Sequence, residues 1–141
     1  MKKIKSIEEL TEVLKLLRPI YIRYRKLFEE DMTWEHFIKT SYWSFADPKN
    51  FYFYELNAQG GLDFFLSSQP LDKDVSLVWF IYNNPKQHKL LKQRIEQAVT
   101  YGKAVGLKKV RFITNRLTKA YAKFAKSINA KQFLITYEKE L

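Results

Sequence analysis

The chain has 141 residues, 46% of them hydrophobic and 16% aromatic, so it holds enough apolar material for a packed core and is not a disordered chain. Its 4 Gly and 4 Pro exclude low-complexity and fibrous classes. No apolar run reaches the roughly 20 residues that cross a bilayer, and the first residues lack the apolar region of a signal peptide. The absence of cysteine excludes disulfides, a thiolate nucleophile and a Cys-based zinc site, and we expect a cytoplasmic protein.

The net charge of +10 belongs entirely to the second half of the chain. Residues 1–70 hold 10 basic and 10 acidic residues, whereas residues 71–141 hold 15 basic and 5 acidic ones. Between Lys86 and Lys131 there are 13 basic residues, and Glu96 is the one acid. This asymmetry indicates an anionic partner, such as nucleic acid or phosphate groups, or else a solvated basic face that keeps the protein in solution.

Two helices are predicted near the start of the chain. Ser6 and Glu9 form a capping box for the first, whose apolar stripe is Ile7, Leu10, Leu14 and Leu17. Pro19 predicts that this helix ends at about Arg18. The next residues, 20–28, suit a helix, although Ile20–Ile22 also suits a strand. Thr33 is the predicted cap of the second helix, which Asp47-Pro48 closes.

Strands follow the two helices. Phe51–Leu56 and Leu62–Ser68 are predicted to form a hairpin, and Gln69–Asp74 a polar loop. Val75–Tyr82 is nearly continuous in apolar residues, which is typical of a strand buried on both faces. Exposed aromatic side chains of Phe51–Tyr54 would offer an interface to a partner.

The second half alternates helices and strands. Asn84-Pro85 opens a helix over 86–105 that Gly106 ends. A strand at Val110–Thr114, a helix from Leu117 to Ile128 and a strand at Phe133–Tyr137 complete the chain. The element order predicts a mixed α+β, or α/β, fold in one domain over residues 1–141. We expect a central mixed sheet of about five to seven strands with helices on both faces.

Most common catalytic patterns are missing. His36 and His88 have no close pair of carboxylates, so no metal site is predicted. Ser67 and Ser68 lack the glycine pattern of a nucleophile elbow. The chain contains neither a Walker motif nor the dinucleotide pattern GxGxxG.

The helix after Pro85 begins with an unusual cluster of cations, namely Lys86, His88, Lys89 and Lys92. Each cation at a helix N-terminus costs about 0.3–1 kcal/mol against the helix dipole. An anion bound at the free amides would turn that cost into attraction. Alternatively, the lysines extend into water and salt screens them. A second basic stripe, Lys119, Lys123 and Lys126, is typical of a solvated helix face.

The segment Gly106-Leu107-Lys108-Lys109-Val110-Arg111-Phe112-Ile113-Thr114-Asn115 follows that helix, and 124–130 reads Phe-Ala-Lys-Ser-Ile-Asn-Ala. With the hairpin, the buried strand and the turn Asn83-Asn84-Pro85, these residues resemble the GNAT acyltransferase family, which binds acetyl-CoA. The resemblance covers about two thirds of the chain, from Phe51 onward. It implies the GNAT fold, with a Pro-containing turn leading into the cofactor-binding helix.

The resemblance also implies a site. Acetyl-CoA would be held by Tyr82, Asn83, Lys86, His88, Lys89, Lys92, Gln93 and Asn115. The family's pyrophosphate loop, Arg/Gln-x-x-Gly-x-Gly/Ala, falls on residues 88–93, where Leu91 and Gln93 replace both glycines. The family's frequent acid, a tyrosine, falls on Ala125, and Tyr121 lies one helical turn earlier, about 6 Å away along the axis. Tyr121 or water is therefore expected to carry out proton transfer.

Two functions from different classes follow from these residues. The first is a divergent acyl-CoA-dependent N-acyltransferase, in which an amine attacks the thioester and the amides of Val75–Tyr82 polarise its carbonyl. The second is a non-catalytic GNAT-fold module that binds nucleic acid or a protein, which the missing glycines and the absence of a carboxylate from Val75–Asn84 favour. The acceptor amine is not specified by the sequence, and no membrane partner is expected.

Overall fold

A computed structural model describes residues 1–28, 31–112 and 126–127. Its strands are β1 (Lys2–Lys3), β2 (Phe53–Leu56), β3 (Leu62–Asp72), β4 (Val75–Asn83) and β5 (Lys109–Phe112). Its helices are α1 (Ile7–Phe28), α2 (Trp34–Phe45) and α3 (Leu91–Ala104), and a 3₁₀ turn over Pro85–Leu90 precedes α3. None of these helices is both long and apolar enough to cross a membrane.

The five strands form one mixed sheet in the order β1-β2-β3-β4-β5. Neighbouring strands are antiparallel from β1 to β4, and β5 is parallel to β4. A parallel neighbour requires a crossover connection, which the turn and α3 supply. The predicted fold class, a central mixed sheet flanked by helices, is confirmed.

The core lies on both faces of this sheet. On one face α1 and α2 pack around Tyr21, Phe37 and Phe65, each no more than 1% exposed. On the other face α3 packs Ile95 and Ala98 against residues of β3 and β4. Phe51–Tyr54 are buried in these two clusters, at most 8% exposed. The predicted interface of exposed aromatics at 51–54 is therefore wrong, because alternate side chains of this segment enter opposite halves of the core.

Local capping sets where the helices begin. The Ser6 hydroxyl accepts from the Glu9 amide at 3.1 Å, while the Glu9 carboxylate accepts from the Lys5 amide at 2.8 Å instead of the predicted Ser6 amide. Thr33 accepts from the His36 amide at 3.2 Å. Asn84 accepts from the Lys86 amide at 3.0 Å, with Pro85 in the first position of the turn. The helix starts predicted at Ser6 and Thr33 are confirmed, whereas Asn84 caps a 3₁₀ turn and α3 itself begins at Leu91 without a side-chain cap.

Helix α1 does not end at Pro19, and that prediction is wrong. The helix continues to Phe28 with Pro19 on its exposed side. Leu17 and Tyr21, on either side of Pro19, are no more than 1% exposed. Burial of this continuous stripe outweighs the hydrogen bond that proline removes. Ile20–Ile22 is consequently helix and not strand.

The second strand of the hairpin is longer than predicted. Gln69–Asp72, expected in a loop, pairs with β4 through backbone groups across a register shift. β4 is buried on both faces only near Ser76–Val78, and its outer half is half-buried. The helix predicted over 86–105 is divided at Leu90, with non-helical dihedrals at Gln87. Of the helix predicted from Leu117 to Ile128 the structure describes only Lys126 and Ser127, which are helical, and the strand predicted at Phe133–Tyr137 lies outside the described residues.

Candidate functional site

The outer half of β4, Trp79–Asn83, has an unusual backbone environment. Ser67 of β3 pairs with Phe80 and Ser68 pairs with Val78, so Trp79 is an extra, bulged residue. On the opposite edge, β5 pairs with β4 only from Val75 to Val78. Within the described parts of the chain, no strand pairs with that edge from Trp79 onward. β-bulges are over-represented at sheet edges and next to active sites, where they re-aim a side chain or end strand pairing.

An aromatic cluster covers the α1 and α2 side of this half-strand. Its members are Tyr21, Tyr24, Trp34, Phe37, Trp79 and Phe80. Phe37 is its centre, with ring centroids 4.4 Å from Tyr21, 4.9 Å from Phe80 and 5.0 Å from Trp79. Tyr24, Trp34, Trp79 and Phe80 are half-buried, so the cluster extends from the core toward the surface.

Asp63 attaches the Pro85–Leu90 turn to β3. Its carboxylate is 5% exposed and accepts from the Asn84 side chain at 3.0 Å and from the Gln87 side chain at 2.8 Å. The hydrogen bond from Asn84 is the largest cause that holds the pKa of Asp63 below its usual value, and burial opposes it. Asp63 is therefore an anion that the turn needs for its shape.

Arg94 of α3 is the second attachment. It is 4% exposed, and its guanidinium donates to Asn83 Oδ1 and to Gln87 Oε1, both at 2.7 Å. It also donates to Glu55 from Nε, at 2.8 Å, and from Nη2. Burial raises the pKa of Glu55, but hydrogen bonds from Arg94 and from the Met1 amino group lower it further, so that it lies below the usual value. Because their pKa values lie below the usual ones, both carboxylates are ionised at neutral pH.

The structure distributes the predicted cofactor residues between two environments. Lys86, His88, Lys89, Lys92 and Gln93 are exposed along the turn and the first turn of α3, with Lys92 paired to Glu96 at 4.0 Å. Asn83 and Tyr82 are half-buried. Asn83 is engaged by Arg94 and by the turn's carbonyls, and burial, followed by the charge of Asp63, raises the pKa of Tyr82. Tyr121 and Asn115 lie outside the described residues.

Sequence analysis missed the four residues that hold the turn: Arg94, Asp63, Glu55 and Gln87. One signal was present in the chain. Leu91, Arg94, Ile95 and Ala98 follow the i, i+3, i+4, i+7 spacing of one buried helix face, so Arg94 occupies an apolar position. A cation in such a stripe requires buried acceptors.

Two other features of the described residues do not belong to this site. A surface depression of about 600 Å³ beside α2 is lined by Thr33, Glu35, His36, Lys39, Thr40 and Trp43, none of them at the turn. Among the residues that the structure describes, no three His, Asp or Glu side chains are grouped closely enough to hold a metal ion.

Comparison with known proteins identifies the fold. No protein-family model matches the chain, and no curated protein matches it. Among solved structures, an aminoglycoside acetyltransferase from an uncultured soil metagenomic sample, in complex with sisomicin, is similar with a TM-score of 0.69 at 15% identity. The alignment covers 99% of this chain and 94% of that one.

Two further structures give the same result. An aminoglycoside N-acetyltransferase in complex with CoA has a TM-score of 0.70 at 13% identity, over 99% of this chain and 93% of that one. A Pyrococcus furiosus protein assigned as an acetyl transferase has a TM-score of 0.70 at 17% identity, over 99% of each chain. The chain therefore has the acetyltransferase fold of the GNAT type, as the sequence resemblance implied.

Proposed function

We infer that the protein is an acyl-CoA-dependent N-acyltransferase that transfers an acetyl group to an amine. The fold carries this proposal, because it is shared with an acetyltransferase crystallised with CoA. The bulge at Trp79 supports it, since it lies in the half of β4 that has no described strand partner on its outer edge. The acceptor is proposed only as an amine.

The chemistry requires three things of the chain. The amine must be held within about 3–3.5 Å of the thioester carbonyl carbon, where positioning supplies much of the rate. Amides of the Trp79–Asn83 half-strand are the proposed donors to the carbonyl oxygen, whose negative charge grows as the amine attacks. The amine then gives a proton to water as the carbon–sulfur bond breaks, and CoA leaves as its thiol when Tyr121 or water donates a proton to the sulfur.

The residues around the turn suit the phosphates of CoA through charge. Lys86, Lys89 and Lys92 are exposed on consecutive turns, and among the described residues Glu96, 4.0 Å from Lys92, is the one acid paired with them. Leu91 and Gln93 stand where the family has glycines, so close backbone approach to a diphosphate is less favourable than in relatives that keep them. Acetyl-CoA supplies the activated acyl group, and the lysines supply the attraction that holds it.

Isothermal titration with acetyl-CoA tests this proposal. We expect saturable binding that weakens as NaCl rises from 50 to about 300 mM, because phosphate–lysine attraction is screened. Two control ligands test the phosphate contacts: desulfo-CoA keeps the phosphates of CoA, whereas adenosine lacks the diphosphate. Absence of binding at millimolar acetyl-CoA would overturn the proposal.

A second function rests on the Arg94 and Asp63 contacts. These contacts occupy Asn83 and Gln87, while the cations of the turn remain exposed. This arrangement favours a GNAT-fold module that binds nucleic acid and performs no acyl transfer. Fluorescence anisotropy with a single-stranded and a duplex oligonucleotide tests it. Steeply salt-dependent binding without acetyl-CoA binding supports the module, and salt-independent binding contradicts it.

A further inference from the structure

Arg94 connects three separate segments through one buried guanidinium. It contacts Glu55 in β2, Asn83 at the end of β4 and Gln87 in the Pro85–Leu90 turn. Its guanidinium carbon also lies 5.4 Å from the ring centroid of Phe64 in β3. We propose that Arg94 is a positioning residue that fixes the turn in the shape that receives the CoA diphosphate, an inference that rests on the proposed acyltransferase function.

Gln87 is the point at which this positioning acts. Its carboxamide oxygen accepts from Arg94 at 2.7 Å, and its carboxamide nitrogen donates to Asp63 at 2.8 Å. The cationic Arg94 therefore binds the oxygen of the Gln87 carboxamide, and the anionic Asp63 binds its nitrogen. Gln87 also has φ −120° and ψ 30°, outside helical values, so the backbone departs from the helix at the clamped residue. The two hydrogen bonds of Gln87, with Arg94 and with Asp63, form a clamp that keeps the turn distinct from α3.

The turn and the start of α3 contain no glycine, so a phosphate would be held there through side chains. A glycine loop follows a phosphate by backbone freedom, whereas Leu91 and Gln93 restrict the backbone at the corresponding positions. Lys86, His88 and Lys89 lie next to Gln87 on the exposed side of the turn. Holding Gln87 consequently fixes where these cations are presented. Preorganisation of this kind raises affinity by reducing what must be ordered on binding.

Stability alone does not account for Arg94. A buried ion pair is desolvated at a cost that its attraction often fails to offset, and apolar replacements of similar volume are often neutral or stabilising. Arg94 lies between Leu91 and Ile95 on a stripe that an apolar residue would complete. Its three nitrogens instead satisfy acceptors in the turn and in β2. A geometric role in the turn explains the retention of a buried cation.

The decisive experiment compares CoA with pantetheine, the part of CoA that carries the thiol. CoA affinity is measured by calorimetry, and affinity for pantetheine, which lacks the diphosphate and the nucleotide, by ligand-detected NMR. In Arg94→Gln and Arg94→Lys we expect CoA to bind about tenfold more weakly, by analogy with the loss of metal affinity when a residue that orients a metal ligand is replaced. Pantetheine affinity should change less than twofold. Lys103→Gln, which removes an exposed cation from the same helix, should change neither.

A second variant keeps the test valid if Arg94 variants do not fold. Gln87→Ala releases the turn but leaves Arg94 paired with Glu55 and Asn83, and it should show the same selective loss of CoA affinity. Equal losses for CoA and pantetheine, or an unchanged CoA affinity in Gln87→Ala, would overturn the positioning role and leave the acyltransferase proposal intact. If the wild-type chain binds neither ligand, the acyltransferase proposal fails, and the positioning role fails with it.

Discussion

Asp63 shows how one buried carboxylate links pH to the fold. Because hydrogen bonding from Asn84 lowers the pKa of Asp63 in the folded chain, the unfolded chain binds more protons near the usual carboxyl pKa of about 4. The contribution of this anion to stability is therefore complete above that pH. It is lost as the pH falls through the lowered folded value.

Asp63→Asn should consequently flatten the acid side of the stability curve. At neutral pH we expect the free energy of unfolding of the variant to be about 2 kcal/mol below that of the wild type, the value typical of hydrogen bonds to a charged group. As pH falls from about 5 to 2, the free energy of unfolding should decrease less in the variant than in the wild type. Urea midpoints across this range provide the measurement, with the exposed Asp31→Asn as control. Parallel curves for wild type and Asp63→Asn would contradict the assignment.

Gly106 is required by backbone conformation and not by space. Its φ of +93° lies in the left-handed region, and a Cβ placed there would meet no atom within 4 Å. Gly106→Ala should therefore lower the free energy of unfolding by about 1–2 kcal/mol through strain alone. Gly106→Asn should lower it less, since asparagine tolerates this region. Thermal denaturation of the pair tests the explanation, and equal losses would indicate a packing effect instead.

At the scale of the helices and strands, Pro19 lowers the free energy of unfolding, but α1 still forms around it. Proline in a helix interior removes one hydrogen bond and costs about 3 kcal/mol, and its restriction of the unfolded chain returns up to about 1 kcal/mol. Pro19→Ala should thus raise the free energy of unfolding by about 2 kcal/mol. Chemical denaturation measures it, and Lys15→Ala on the same exposed face serves as control. A destabilised Pro19→Ala would mean that α1 is shaped by the proline.

Helix α2 depends on Phe37, the centre of the aromatic cluster. Truncating a fully buried phenylalanine costs about 3–5 kcal/mol, and Phe37 is 1% exposed between Tyr21, Trp79 and Phe80. Phe37→Ala should be destabilised by this amount. Trp43, on the same helix but 78% exposed, provides the matched control, and Trp43→Ala should change stability by less than about 0.5 kcal/mol. A comparable loss in both variants would contradict the assigned core.

The correct sequence predictions are those that local chemistry decides. Ser6 and Thr33 cap helices and Asn84 caps the 3₁₀ turn because each side chain reaches an amide within three residues. The prediction at Pro19 is wrong for the opposite reason, since burial of Leu17 and Tyr21 on either side overrides the local effect of proline. The extension of β3 over Gln69–Asp72 was missed because these residues are half-buried or exposed and mostly polar or proline, so no apolar alternation marks this end of the strand.

The candidate site was predictable only in part. The exposed cations of the turn were found from composition at a helix start. The clamp was missed because Arg94 lies 39 residues from Glu55 and 11 from Asn83 in the chain. Only the three-dimensional path of β2 and β4 brings those acceptors to one helix face. Whether the predicted cofactor residues bind CoA stays a prediction.

At the scale of the whole molecule, the excess of basic residues in the second half of the chain should strengthen the binding of anionic ligands. Replacing Lys86, Lys89 and Lys92 by Gln should weaken CoA binding and flatten its dependence on salt. The same change should slightly stabilise the free protein, because it relieves repulsion with the helix dipole.

Calorimetry at two salt concentrations and a denaturation curve measure both effects. A control with Lys15, Lys39 and Lys49 replaced by Gln removes equal charge from exposed positions in the neutral half. Equal weakening in the two triple variants would show that CoA responds to net charge alone, and no site could then be assigned to the turn.

The shortness of β1 has a consequence for how the molecule behaves at high concentration. β1 lies at the outer edge of the described sheet and consists of Lys2 and Lys3 alone, with Lys3 Nζ 4.5 Å from the ring centroid of Tyr101. Two ladder positions give an incoming chain little backbone to pair with, and two ammonium groups repel a second copy of the same edge. The charge of these lysines therefore disfavours edge-to-edge aggregation through the aromatic-rich hairpin of β2 and β3, and high salt weakens this effect.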